Sequence, residues 1–239
     1  MSSLLVPALA FAAAASALIA CKKSTAADDA AALFCGTYTA APSVAVEPAR
    51  MYISSSVITD TALIGAFVRR IPVPGPPAVP AFQLVGSTGA FPYPDRPRIA
   101  FSGSGGTLEL VAGSFLSFDL LSQSATGALL VRRDSVTSIS STGTSCPALA
   151  RGALRKYSDS LCGPDRPGLM ACRFRAVVPL EIDRGVLYLP LVSVAARNGD
   201  GCVGTYSNVF NYLEPAMLPQ LGANDTLVVQ RKRAGLVRQ

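Results

Sequence analysis

Histidine and tryptophan are both absent from this 239-residue chain. Without histidine there is no common general base and no common zinc ligand. That excludes the Ser-His-Asp and Cys-His catalytic arrangements and every His-containing zinc site. Charged residues are few, at 15% of the chain, so no long charged face is expected. No two of the six cysteines stand in Cys-x-x-Cys spacing, which removes the cysteine-ribbon type of metal site. There is no internal repeat and no alternation of strand and helix signals of the βαβ kind. What the chain does have is 20 Gly, 18 Pro and many Ser, Thr and Val. This is the profile of an all-β exported domain, and its length suits a single domain with a real core.

The first 20 residues contain no Lys or Arg, and the apolar run from Leu4 to Ala20 is short for a membrane span, which needs about 20 residues. The run ends in Leu18-Ile19-Ala20-Cys21, with the small residue Ala20 directly before the cysteine as in a cleaved leader. This tetrapeptide resembles the lipobox of bacterial lipoproteins. The resemblance implies lipidation of Cys21, removal of residues 1–20, and tethering of the protein to the membrane by its lipid. The competing reading is an uncleaved anchor flanked by Lys22 and Lys23. Lys22 directly after the cysteine resembles outer-membrane sorting in Gram-negative cells. Residues 21–33 have too few large apolar side chains to pack on their own and read as a flexible tether. The working part is then a single β-rich domain, 34–239.

The net charge of +6 is spread over short groups such as Arg69-Arg70, Arg132-Arg133 and Arg231-Lys232-Arg233. A nucleic-acid binder gathers such charge on one face among aromatics. Here the groups read as solvated strand faces or edge-strand guards, and no nucleic-acid partner is expected. Five cysteines remain after Cys21. In an oxidising compartment four pair and one is left over. Cys162 and Cys172 flank the turn-forming segment 163–168 and form the best local pair, with Cys146 and Cys202 second. Cys35 is then free, or replaces one of these.

Residues 49–58 read as one strand. Thr59-Asp60 reads as an N-cap for an amphipathic helix over 61–70, with Leu63, Ile64, Phe67 and Val68 on its apolar face. The proline-rich stretches 71–80 and 91–97 read as extended surface loops, the second exposing Phe91 and Tyr93. From Arg98 onward a β-meander is expected, with strands at 128–133, 135–140 and 153–160. The clearest strand is 173–182, with Phe174 and Val178 on one side. Asp183-Arg184-Gly185 and Asn198-Gly199-Asp200-Gly201 read as hairpin turns. Residues 214–221 read as a helical turn, and 226–232 and 234–237 as closing strands. The sum is an antiparallel barrel or sandwich with one short amphipathic helix. Gly36-Thr37-Tyr38 resembles the G-x-W opening of lipocalins with Tyr in place of Trp. That resemblance would set the 231–233 basic cluster over the aromatic ring.

No catalytic motif stands out. Gly103-Ser104-Gly105-Gly106 lacks the Gly-Lys-[Ser/Thr] ending of a phosphate loop. Glu181 and Asp183 lie beside a turn on the solvent face rather than across a cleft. Asn198–Gly201 lacks calcium-loop spacing. Lys156 with Ser158 or Ser160 is one arrangement among many serines, and the Asn224-Asp225-Thr226 sequon is moot if the lipobox resemblance, and the bacterial source it implies, holds. The expected function is therefore non-enzymatic and without cofactor. One form is an envelope lipoprotein whose barrel holds a small apolar ligand, lined by Phe101, Leu110, Phe118, Phe174 and Val178. The other is a structural or protein-binding envelope module with a filled core.

Overall fold

The computed structural model describes residues 33–239 apart from 72–79, 103–104, 112–113, 142–148, 151, 155–160 and 168. In chain order the strands are β1 (Cys35–Val46), β2 (Arg50–Ile53), β3 (Ser56–Ile58), β4 (Thr88–Ala90), β5 (Arg98–Ser102), β6 (Gly105–Val111), β7 (Ser114–Ser124) and β8 (Gly127–Arg132). They continue as β9 (Val136–Ser141), β10 (Leu161–Arg166), β11 (Leu169–Phe174), β12 (Val177–Asp183), β13 (Val186–Arg197), β14 (Val203–Val209) and β15 (Thr226–Arg238). Helix α1 (Thr61–Arg69) follows β3, and a 3₁₀ turn (Pro215–Gln220) precedes β15.

Eight strands close into an antiparallel barrel in the order β13-β12-β8-β7-β6-β5-β1-β15, with β15 paired back to β13. Alternation along each strand fills the inside. Phe34, Tyr38, Ile99, Phe101, Leu108, Phe118, Leu130, Val178, Leu180, Leu187 and Leu189 belong to one buried core. Phe101 meets both Phe34 and Tyr38 edge-to-face. An eight-stranded ring is about wide enough for its own side chains to fill.

β13 and β15 continue past the barrel wall and carry extra strands. β14 pairs with Val192–Arg197, β2 with Thr226–Val229, and β3 with β2. One face of this extension continues the barrel interior. There α1 lays Ile64 and Phe67 on Met51, Ala195 and Val228. Asp60 caps α1 by accepting from the Ala62 and Leu63 amides at 2.8 and 3.1 Å. The other face is covered by Leu154, Met217 and Leu221, packed on Val192, Val194, Leu227 and Val229.

Two prolines decide where the wall opens. The Ile182 amide donates to Thr126 and the Arg132 amide to Ala176. Even-numbered residues of β12 therefore face β8, and odd-numbered ones face β13. The β12–β13 ladder runs from Asp183↔Val186 to Glu181↔Tyr188. The next facing pair would be Pro179 with Pro190, and neither has an N–H to give. Pairing stops there, and β14 takes over the edge of β13.

Several expected elements differ. Residues 49–58 form the hairpin β2–β3, turning at Ser54 with φ 51°. The expected strand 173–182 is two strands in two sheets. β11 pairs with β9 and β10, whereas β12 belongs to the barrel, and the break at Arg175-Ala176 separates Phe174 from Val178. Around the expected strand 153–160 the chain is helical at 149–150 and 152, and 155–160 lie outside the described residues. The closing strands are one continuous β15. On α1, Leu63 is 54% exposed, because only the Ile64 side meets the sheet. Phe91 is buried at 6% and Tyr93 is partly buried against the same core and Phe210. The 91–97 loop folds inward because its rings complete the barrel core, which corrects the expected exposed pair.

Candidate functional site

The basic triplet 231–233 is split by strand alternation. Lys232 lies on the inner face of β15 and is only 4% exposed. Its Nζ donates to Asn208 Oδ1 at 2.7 Å, to the Ala81 carbonyl at 2.9 Å and to the Pro80 carbonyl at 3.3 Å. Ser193 Oγ donates to the same Asn208 Oδ1 and accepts from the Asn208 amide. The Tyr93 hydroxyl donates to the Asn208 carbonyl at 2.8 Å. One turn of alternation away, Gln230 accepts from the Gln83 amide at 2.7 Å and donates to the Gln83 and Glu47 carbonyls. Burial lowers the Lys232 pKa from 10.5 to about 8 and pushes the Tyr93 hydroxyl up. Together Lys232 and Gln230 pin residues 80–83 across the top of the barrel core. Every polar group in the cluster has a protein partner, so its chemistry is structural.

Arg231 and Arg233 lie on the outer face. Arg233 reaches Asp183 at 2.9 Å and stacks 4.3 Å above the Tyr188 ring. Arg231 meets Glu181 at 2.8 Å and, more loosely, Glu47 at 3.8 Å. These pairs account for Glu181 and Asp183, each held by an arginine on the solvent side. The arginine beside Tyr38 is not in the triplet. It is Arg238, the register partner of Tyr38, and its guanidinium lies over Gly36. Gly36 has φ 98°, and a side chain there would crowd Arg238. Burial raises the Tyr38 pKa, and Arg238 acts against that rise.

Arg231 also lines a cleft of about 410 Å³ at the place where β12 leaves β13. Its floor is Arg50, Tyr52 and Val229, which share the outer face of β2 and β15. One wall is Pro179–Glu181 of β12. The other is Tyr212, Leu213 and Pro215, with Glu47 and Pro48 at the rim. Arg50 has no acidic partner among the described residues.

None of the residues expected to line a ligand cavity takes part in this cleft. Phe101, Phe118 and Val178 are in the packed barrel core. The side chains of Leu110 and Phe174 lie outside the described residues. Cys21 and Cys146 also lie outside them. The backbone register sets Cys162 opposite Cys172 across the β10–β11 hairpin. Cys35 and Cys202 are both disulfide-bonded, so Cys35 is not the leftover thiol.

No family model, curated protein or solved structure matches the chain. The cleft was not legible beforehand, because its lining comes from four separate stretches of sequence. The solvated reading of the 231–233 triplet fails at Lys232, which strand alternation turns inward. Lys232 occupies the same alternation phase as Val228, Ala234 and Leu236.

Proposed function

We propose that this chain is a non-enzymatic cell-envelope lipoprotein. Lipid on Cys21 holds it to the membrane, with the outer membrane as its destination. Its barrel is a filled scaffold that works through its outer surface as a structural or protein-binding module. The observation that carries this reading is the packing of Phe101, Phe118 and Val178 into one continuous core. Those residues would otherwise have faced a ligand. The lipobox-like Leu18-Ile19-Ala20-Cys21 supports the anchor. The absence of histidine and the pairing of Glu181 and Asp183 with arginines support a role without catalysis.

Two measurements test the reading. Growth of a bacterial host with an alkyne fatty acid should label the protein, and Cys21→Ser should abolish the label. Labelling that persists in the variant overturns the anchor. Native mass spectrometry of the lipid-free Cys21→Ser protein should give the bare polypeptide mass. An extra mass that survives in a Cys21→Ser, Arg50→Ala protein and leaves on denaturation would establish a ligand inside the barrel instead.

A further inference from the structure

The cleft between β12 and the outer face of β2 and β15 has a charge pattern that selects a ligand. Its four ionised side chains are Arg50, Arg231, Glu47 and Glu181, two of each sign. Glu181 engages Arg231 closely, at 2.8 Å. Glu47 stands off at 3.8 Å and is about half exposed, so its carboxylate is largely unused. Arg50 is unpaired. The cleft therefore offers one spare guanidinium and one spare carboxylate, three residues apart across the β1–β2 connection. Pro48 between them has its φ fixed by its ring. Around this pair stand the apolar and aromatic side chains of Pro48, Pro179, Pro215, Tyr52, Tyr212 and Leu213.

A lone anion would meet two glutamates in this space, and a lone cation two arginines. A molecule carrying both signs meets a partner for each. Guanidinium binds a carboxylate through two parallel N–H donors, which fixes orientation as well as charge. An ammonium is satisfied by carboxylate and carbonyl oxygens. Pro179 offers such a carbonyl, since its odd-numbered position turns it to the unpaired side of β12. The volume of about 410 Å³ is within the range of small-molecule sites, about 300–1,000 Å³.

We propose that this cleft binds a small zwitterion of the amino-acid or short-peptide class, its carboxylate on Arg50 and its ammonium at Glu47. The proposal goes beyond the envelope-module reading and does not depend on the anchor. Ligand carbon would lie against the proline and tyrosine walls.

The test is an amide chemical-shift titration of the lipid-free Cys21→Ser protein. The probes are L-phenylalanine, L-alanyl-L-alanine, N-acetyl-L-phenylalanine and L-phenylalaninamide. At least one of the first two should saturate, with shifts centred on Arg50, Tyr52, Glu181 and Arg231. The free zwitterion should bind at least tenfold tighter than its singly capped relatives. Arg50→Ala should reduce phenylalanine to the affinity of its amide. Glu47→Gln should reduce it to that of the N-acetyl form. The same spectra show that each variant is folded. The proposal is overturned if neither zwitterion saturates, if the shifts map away from the cleft, or if a capped probe binds as tightly as the free one. A barrel found to hold a ligand in the Arg50→Ala background would overturn the filled-scaffold reading and leave this site standing.

Discussion

Burying an ammonium with no carboxylate beside it costs on the order of several kcal/mol, and Lys232 is buried in that way. Three oxygen acceptors offset part of the cost. The remainder shows in its pKa, lowered by burial to about 8. The sign of the pH dependence follows. Between pH 8 and 10.5 the unfolded chain holds a proton that the folded chain has released. The stability contributed at this position is therefore lowest below pH 8 and rises through that window. Lys232→Met removes the dependence. Relative to this variant, the unfolding free energy of the wild type should gain up to about 3 kcal/mol from pH 8 to 10.5, as read by urea titration at each pH. A difference that stays flat across the window would disprove the assignment. The inward position was readable in principle from strand alternation, although the triplet as a group read as a solvated face. Its partners were not, because Pro80, Ala81 and Asn208 are distant in sequence and meet Lys232 only once the barrel closes.

At the scale of elements, turn chemistry was the most legible signal. Asp183-Arg184-Gly185 forms the β12–β13 turn, with positive φ at both central residues, 50° and 76°. Such a turn matches strand twist, and its first position favours Asn over a long side chain. Arg184→Asn should raise stability by roughly 0.5 kcal/mol, measured as a higher urea midpoint with unchanged slope. A lower midpoint would show that the arginine makes a contact that offsets its strain. Helix α1 was legible for a related reason: Asp60 as cap and Ile64 as buried residue are both local signals. The sequence misled where a local pattern had two readings. Residues 173–182 alternate cleanly, yet the chain leaves one sheet and enters another at Arg175-Ala176. Alternation reports which side a residue faces and not which sheet it belongs to. Proline worked in the opposite way. Pro179 and Pro190 lie within strands where β12 leaves β13, and the cleft opens there because they cannot pair.

For the molecule as a whole, β15 gives a scale on which to place the cysteines. Cys35 lies beside Tyr38, the partner of Arg238, and Cys202 lies beside Asn198, next to the partner of Thr226. About 40 Å of strand separates these ends. A disulfide needs Cα atoms within about 7 Å, so Cys35 and Cys202 belong to different bonds. If Cys21 carries lipid, their partners come from Cys146, Cys162 and Cys172. A Cys162–Cys172 bond would leave one partner for two cysteines. Peptide mapping without reduction should therefore find two bonds, one to Cys35 and one to Cys202, and no Cys162–Cys172 crosslink. Finding that crosslink would mean that Cys21 supplies the missing partner through its own sulfur, and would count against the lipid anchor.

The strand that zips the barrel shut also sets a schedule for the chain. β15 pairs with β1, β2 and β13, so the first and last strands of the domain are neighbours. A polypeptide threaded through a membrane from its N-terminus presents β1 first, with its edge open, and β15 last. Until β15 arrives, the wall between β1 and β13 is missing and the aromatic core faces solvent. Contacts this distant in sequence form slowly, and exposed edges invite aggregation meanwhile. For a protein exported as proposed, transit is thus the hazardous interval, and a chain cut short before residue 226 cannot complete the wall.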